Sequence, residues 1–356
     1  DKYNTYIIKV KEREFMKRKI VKVTEAKTLE VFTETMPEPG PHEIVIRITI
    51  SGICHSEMPT YLGEGSMMMK GPLGFSCIID SVPYPASFGH EPTGVVEKIG
   101  SEVTRFTVGD RVSGAGGGAF ASHIISSEFA PLVKLPDNVS EYKCLAEPVM
   151  CCCNIVHAVE MKKEDGWLAV VGCGYMGQVC LSLLHAYGVK NIVAFDLHEE
   201  RRKRALELGA SYAFDPKDPD VLKQAIELTG GVGFDRAIEL SKGLSGLQLA
   251  VSLMKMPSVD DRGIIAASSV YDKHEMWETS LGFELMCRCP ELHFVHPGFV
   301  PDVPGLMKEA VEAYEKGYIP EDAFITHRFK PEEMDKAYKL MENEDVDYLK
   351  GVVVFD

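Results

Sequence analysis

No apolar run in this 356-residue chain approaches the ~20 residues that a membrane-spanning helix needs, so no such span is expected. Positive charge is scarce: 38 Lys and Arg stand against 53 Asp and Glu, a net charge of -15. That balance repels phosphate backbones and anionic lipid and argues against nucleic acid and membrane as partners, while a local basic patch could still hold a phosphate-bearing cofactor. Internal repeats and low-complexity linkers are absent. The opening stretch "DKYNTYIIKVKEREFMKRKIVKV" lacks the continuous apolar core and small-residue cleavage site of a signal peptide, so the expected location is cytoplasmic. Whether Met16 is the biological start, with residues 1–15 an extension, stays open. Cysteine is not scarce: there are ten, and in a reducing compartment thiols are buried, catalytic or metal-bound rather than paired as disulfides. The length exceeds the ~250 to 300 residues at which single cores stop growing, which points to two domains.

The first third reads as β structure. "EIVIRITI" alternates Ile44, Ile46, Ile48 and Ile50, "GVVEKIG" follows a turn, and "GDRV" reads as a tight corner opening another strand. From about residue 165 the pattern changes to a buried strand "LAVVG", then Met176, Val179, Cys180, Leu183, Leu184 and Tyr187 at helical spacing, a stop at Gly188, and a second strand "NIVAF". Further strand candidates "FDRAIEL", "GIIAASS" and "LHFV" alternate with helical stretches such as "PDVLKQAIELTG". The expected fold class is α/β, a compact β domain joined to a doubly wound parallel sheet.

The turn inside that βαβ unit is "GCGYMG", with Gly172, Gly174 and Gly177 in G-x-G-x-x-G spacing around Tyr175 and Met176. The first glycine makes the turn, the second lets backbone approach a pyrophosphate, and the third packs helix on strand, so the helix N-terminus faces the phosphates. Asp196 ends the second strand, where a carboxylate would hold both ribose hydroxyls and repel a 2′-phosphate, which favours NAD over NADP. Arg201, in the run Arg201 to Arg204, weakens that choice, since a nearby Arg accommodates a 2′-phosphate.

A nicotinamide cofactor implies hydride transfer, and the β domain should supply the group that polarises the substrate oxygen. "SGICHSE" offers Cys54, His55, Ser56 and Glu57, and "SFGHEPTG" offers His90 and Glu91. Zinc takes thiolate, imidazole and carboxylate in a tetrahedral set with one position open for chemistry. Taken singly, each of these residues is as readily a buried structural one.

Together the segments resemble the zinc-dependent medium-chain dehydrogenase/reductase family, the alcohol, polyol and threonine dehydrogenases. The resemblance runs from about residue 17 to the end. It rests on G-I-C-H-S, on G-H-E-x-x-G-x-x-x-x-x-G-x-x-V from Gly89 to Val103, on G-D-R-V from Gly109 to Val112, on GCGYMG, Asp196 and the closing "KGVVVF". It implies a GroES-like β domain (residues 1–150 and 300–356) and a Rossmann NAD-binding domain (151–299), with the site in the cleft between them. By resemblance Cys54 and His90 ligate one catalytic zinc, and Glu91 sits beside it and exchanges onto it in some members. Ser56 takes the place of the hydroxyl that receives the substrate proton, Glu57 orients His90, His55 lies near the pyrophosphate, and Lys350 aligns with a cation near the phosphates.

The stretch "LAEPVMCCCN" raises a separate question. Three consecutive residues point in different directions, so Cys151, Cys152 and Cys153 cannot all reach one ion. By resemblance, counting back from Gly172 places the third protein ligand on Glu147, within a Glu-Pro pair like that of sorbitol and sugar dehydrogenases. Cys151 is then a candidate for lining the nicotinamide pocket, and Cys152 and Cys153 are expected in the core.

Departures from the family matter as well. No four-cysteine lobe follows Gly114, so no structural zinc is expected. Pro59 stands where several alcohol dehydrogenases carry a proton-relaying histidine, and the segment between Cys54 and His90 is long, with Met67 to Met69 as candidate pocket walls. The expected function is hydride transfer between NAD and a small alcohol or carbonyl substrate, a secondary alcohol of a polyol, cyclitol or sugar, by a homo-oligomer (tetramer or dimer). A simple alcohol dehydrogenase or aldehyde reductase, and a non-catalytic NAD-binding protein on the same scaffold, stay open.

Overall fold

The computed structural model of the chain describes residues 16–64, 82–161, 166–269, 276, 279–296, 300, 302–320 and 324–355. The segments 1–15 and 65–81, with Met67 to Met69, lie outside the described residues.

The alternating isoleucines predicted a strand, and Glu43–Ile53 forms one at the centre of a seven-stranded sheet. Both its faces are buried except at the half-buried Glu43 and the exposed Arg47, because elements cover the sheet on each side. It pairs antiparallel with Glu91–Ile99, which therefore carries Glu91 into the sheet, and with the final strand Gly351–Val354. The C-terminal segment thus completes the first domain. This pairing sets Gly351 against Ile53 and Gly52 against Glu91, so residue 350 and residues 54, 90 and 91 converge at one end of the sheet. A smaller sheet of Lys17–Glu25, Thr28–Thr35 and Ala86–Ser87 packs beside it around Ile20, Val21, Phe88 and Phe120.

The second unit is a six-stranded parallel sheet. Its strands Leu168–Val171, Ile192–Phe195, Tyr212–Phe214, Arg236–Glu239, Ile264–Ala267 and Glu291–Phe294 lie in the spatial order third, second, first, fourth, fifth, sixth. The order reverses between the first and fourth strands, and a crevice forms at their carboxyl ends, where open α/β sheets bind ligands. The strands are short and almost wholly apolar, as expected for a sheet covered on both faces.

Two helices join the units. Ala146–Ala158 crosses the boundary expected at residue 150, and Val303–Glu315, expected with the β domain, packs its Met307, Ala310 and Val311 into the same core as Leu168, Val170 and Leu183. The physical reason is apolar periodicity: both helices bury a wide face, which packs against strands of the β domain as well as the helix layer of the parallel sheet.

Candidate metal centre

Cys54 precedes a single 3-10 turn, His55–Glu57, and His90 ends the loop before Glu91–Ile99. The ligand atoms of Cys54, His90 and Glu91 all lie within 4.8 Å of one another, the one cluster of at least three metal-ligating groups among the described residues. Glu57 organises it. Its Oε1 lies 2.9 Å from His90 Nδ1 and has no other partner, while its Oε2 accepts from the Cys54 backbone N–H at 3.3 Å and from the Tyr338 hydroxyl at 3.0 Å. A proton shared with Glu57 at Nδ1 leaves Nε2 free to bind a metal.

Two observations fit a cation at this place. The His90 ring lies between two acidic groups, Cys54 and Glu57, and although burial opposes a charge on it, its contacts with both raise its pKa to about 12. Glu91 is buried, and its Oε2 has no hydrogen-bond partner. Its Oε1 meets Lys350 Nζ at 2.6 Å, and both side chains are almost wholly inaccessible. By resemblance Lys350 aligns with a cation near the phosphates; in the structure it pairs with Glu91, with Nζ 5.0 Å from the centre of the Tyr175 ring. The reason is strand pairing, which brings Gly351 beside Ile53 and so sets Lys350 next to the end of the strand that carries Glu91.

Glu147 opens the helix Ala146–Ala158 and is buried, outside the 4.8 Å set. Burial first, and then the charge of Glu91, push its pKa up to about 7. One helical turn on, the Cys151 Sγ donates to Glu147 Oε1 at 3.5 Å. Burial, Glu147 and Cys54 hold the Cys151 thiol well above its usual pKa, so it stays protonated. Cys152 faces the helix Tyr175–Ala186, donating to the Met176 carbonyl at 3.6 Å, and it and Cys153 are completely buried. The three thiols therefore diverge. Ser56 donates its hydroxyl to Cys54 Sγ at 3.3 Å, a position beside the candidate metal.

The glycine-rich turn stands across the crevice. Gly172 has φ of 93°, and a Cβ there would lie 2.7 Å from backbone atoms of Leu240 and Ser241. At Gly174 a Cβ would meet nothing within 4 Å, so this side of the turn is open to a bulky anion at the helix N-terminus. Asp196 is buried at the strand end, accepting from the Cys173 N–H through Oδ2 and from the His198 N–H through Oδ1, both at 2.8 Å. Those bonds hold its carboxylate at the crevice rim. Arg202 is committed to the Asp196 and Leu197 carbonyls, whereas the buried Nε of Arg201 has no partner. Tyr175 packs on Phe324 and Lys350, and Tyr175 and Met176 both pack against the core. His55 is exposed at the crevice mouth; local crowding by protein and the Lys242 and Lys350 charges hold its pKa down to about 4. Sequence reasoning missed Tyr338 and the Lys242–Glu344 pair at 3.2 Å, each joining distant segments with no local motif to mark it.

A thiolate, imidazole and carboxylate cluster facing a dinucleotide-type crevice defines the class of metal-dependent dehydrogenases. The chain belongs to the zinc-type alcohol dehydrogenase family: residues 40–137 match the alcohol dehydrogenase GroES-like domain and residues 157–256 match the zinc-binding dehydrogenase domain. It is 32% identical to the (R,R)-butanediol dehydrogenase of Bacillus subtilis over 238 residues, 60% of this chain and 67% of that protein. It is 25% identical to the sorbitol dehydrogenase of Halalkalibacterium halodurans over 333 residues, 85% of this chain and 89% of that one. The crystal structure of 2R,3R-butanediol dehydrogenase from Bacillus subtilis superposes with a TM-score of 0.79 at 24% identity, covering 95% of this chain and all of that one, and so shares the fold.

Proposed function

We propose that the protein is an NAD-dependent zinc alcohol dehydrogenase acting on a secondary alcohol of a polyol, cyclitol or sugar. The observation that carries this reading is the convergence of Cys54, His90 and Glu91 within 4.8 Å, beside a serine hydroxyl and across from an open glycine-rich turn. Cys54 and His90 hold the zinc, and Glu91 or Glu147 supplies carboxylate; Cys151 lies outside the Cys54, His90 and Glu91 set. When bound, zinc supplies Lewis acidity to the alcohol oxygen and the nicotinamide accepts the hydride.

The chain's own residues do the rest. Ser56 Oγ would accept the alcohol proton while passing its own hydroxyl proton on to the cofactor ribose hydroxyl or to water, so that the serine stays neutral. Glu57 fixes the His90 ring, and Lys350 pairs with the buried Glu91 carboxylate near the centre. Gly174 leaves the phosphate side open while Gly172 and Gly177 shape the turn and pack the helix on it, His55 and Arg201 face the cofactor, and Asp196 accepts from the ribose hydroxyls. The likeness to butanediol and sorbitol dehydrogenases supports a secondary alcohol as substrate. The edge strand Glu291–Phe294 leaves Phe294 exposed, and Phe283 and Met286 on the helix Thr279–Arg288 are exposed as well, which supports a homo-oligomer. No helix among the described residues is long and apolar enough to cross a membrane; cytoplasmic location is part of the same proposal.

The test is elemental analysis followed by NADH formation with butanediol, sorbitol, xylitol, inositol and primary alcohols, repeated with NADP. One zinc per subunit, turnover of secondary alcohols and a strong NAD preference are expected. Equal efficiency with both cofactors contradicts the Asp196 reading, and NAD binding without turnover of any alcohol favours a non-catalytic role.

A further inference from the structure

Glu57 is the hinge of the metal centre, and what holds Glu57 lies 281 residues further along the chain. Its carboxylate serves both candidate ligands, the His90 ring through Oε1 and the Cys54 backbone through Oε2. Freed to rotate about its last side-chain bond, it would lose both contacts together. Tyr338, on the helix Met334–Glu342, prevents this by donating its hydroxyl to Oε2 at 3.0 Å. The tyrosine is itself fixed: it is fully buried, its ring stacks on Tyr61 at 4.5 Å with 19° between planes, and Phe88 lies against it at 5.8 Å. Tyr61 belongs to the short helix that directly follows the Cys54–Glu57 turn, so the stack ties the C-terminal helix to the very segment that carries the thiolate ligand.

We infer that Tyr338 is a positioning residue for the metal centre, acting through Glu57 to hold His90 and Cys54 in ligating geometry and so to slow the loss of the ion. A phenol donating to a carboxylate makes a charge-assisted bond, and in a buried place such a bond is directional enough to select one rotamer. Removing a partner of a ligand's own partner typically lowers metal affinity or activity by about 10- to 100-fold; acting one bond further out, Tyr338 belongs near the lower end. The C-terminal helix thereby links completion of the β domain by the last strand to retention of the ion. This rests on the reading of Cys54 and His90 as zinc ligands.

The experiment follows zinc transfer from loaded protein to a chromogenic chelator. Tyr338→Phe keeps the ring in its stack and removes only the hydroxyl, so folded protein is expected, and melting of metal-depleted samples checks this. Release should be about tenfold faster than in the parent protein. Glu57→Ala should also speed release, and in that background Tyr338→Phe should add nothing, because the hydroxyl then has no acceptor to hold. Release unchanged within twofold in Tyr338→Phe overturns the inference. So does an equal acceleration by Tyr338→Phe in the Glu57→Ala background, which would mean that the tyrosine acts through packing. If the parent protein holds no zinc at Cys54 and His90, it is the underlying reading that fails, and the two failures are told apart before any variant is made.

Discussion

Gly174→Ala and Gly177→Ala place the same methyl group three residues apart in one turn, and the structure assigns them opposite consequences. At Gly174 the added Cβ meets no heavy atom within 4 Å, and the backbone, with φ of -67° and ψ of -166°, suits any residue. Stability should therefore change by less than about 1 kcal/mol, with a slight gain from a stiffer unfolded chain. The methyl instead projects into the crevice where backbone must approach a pyrophosphate. Pressing one methyl group against a fixed partner costs about 1–3 kcal/mol, and about 1.4 kcal/mol is tenfold in Kd, so NADH should bind roughly 5- to 150-fold more weakly. At Gly177 the Cβ would stand 2.0 Å from the Gly172 carbonyl oxygen, against the 3.4 Å of ordinary contact, and the obstacle is backbone that no rotamer change relieves. The helix-propensity gain of about 1 kcal/mol over glycine is smaller than the strain of parting helix from turn, about 3 kcal/mol or more. Gly177→Ala should thus melt several degrees lower. Thermal unfolding without cofactor, paired with NADH titration by fluorescence, separates the cases. A Gly174→Ala protein that binds NADH as the parent does, or that melts as low as Gly177→Ala, refutes the assignment of this face to the cofactor.

Lys350→Met would leave Glu91 charged and alone in the interior, and breaking a buried pair from one side costs about 3–5 kcal/mol; the melting temperature of metal-depleted protein should fall sharply, and a change of less than a degree would contradict the pairing. Glu128 is wholly buried, and the Thr104 and Arg105 backbone N–H groups and His42 lower its pKa from 4.5 to about 2. A folded pKa below the unfolded one means stability that is fully present above pH 4.5 and lost as pH falls toward 2. Glu128→Gln should accordingly melt below the parent at pH 7, with the gap closing in acid; a gap independent of pH would show that the carboxylate charge is not what matters.

What could be read directly from the sequence was whatever depends on short spacing. Gly172, Gly174, Gly177 and Asp196 fall within one βαβ unit, so their geometry follows from strand, turn and helix alone. The divergence of Cys151, Cys152 and Cys153 also followed from helical rotation, and only Cys151 shares a face with Glu147. Contacts made by closing the chain were illegible. Lys350 reaches Glu91 across 259 residues through strand pairing, and Tyr338 reaches Glu57 through a ring stack that no periodicity announces. The domain edges were blurred for a related reason: an amphipathic helix looks the same whichever core accepts it, and Val303–Glu315 joined the parallel sheet's.

The central claim is that metal is held by Cys54, His90 and carboxylate, not by the run of cysteines behind Glu147. Zinc content by elemental analysis of identically prepared parent, Cys54→Ala, Glu147→Ala, Cys151→Ala and Cys152→Ala proteins tests it most directly. The account predicts one zinc per subunit in the parent, none in Cys54→Ala, a reduced content in Glu147→Ala, and full content in Cys151→Ala and in Cys152→Ala, where a small buried side chain costs only about 1 kcal/mol of packing. Full zinc in Cys54→Ala or in Glu147→Ala together with its loss from Cys151→Ala or Cys152→Ala would contradict the account and move the metal to the cysteine run.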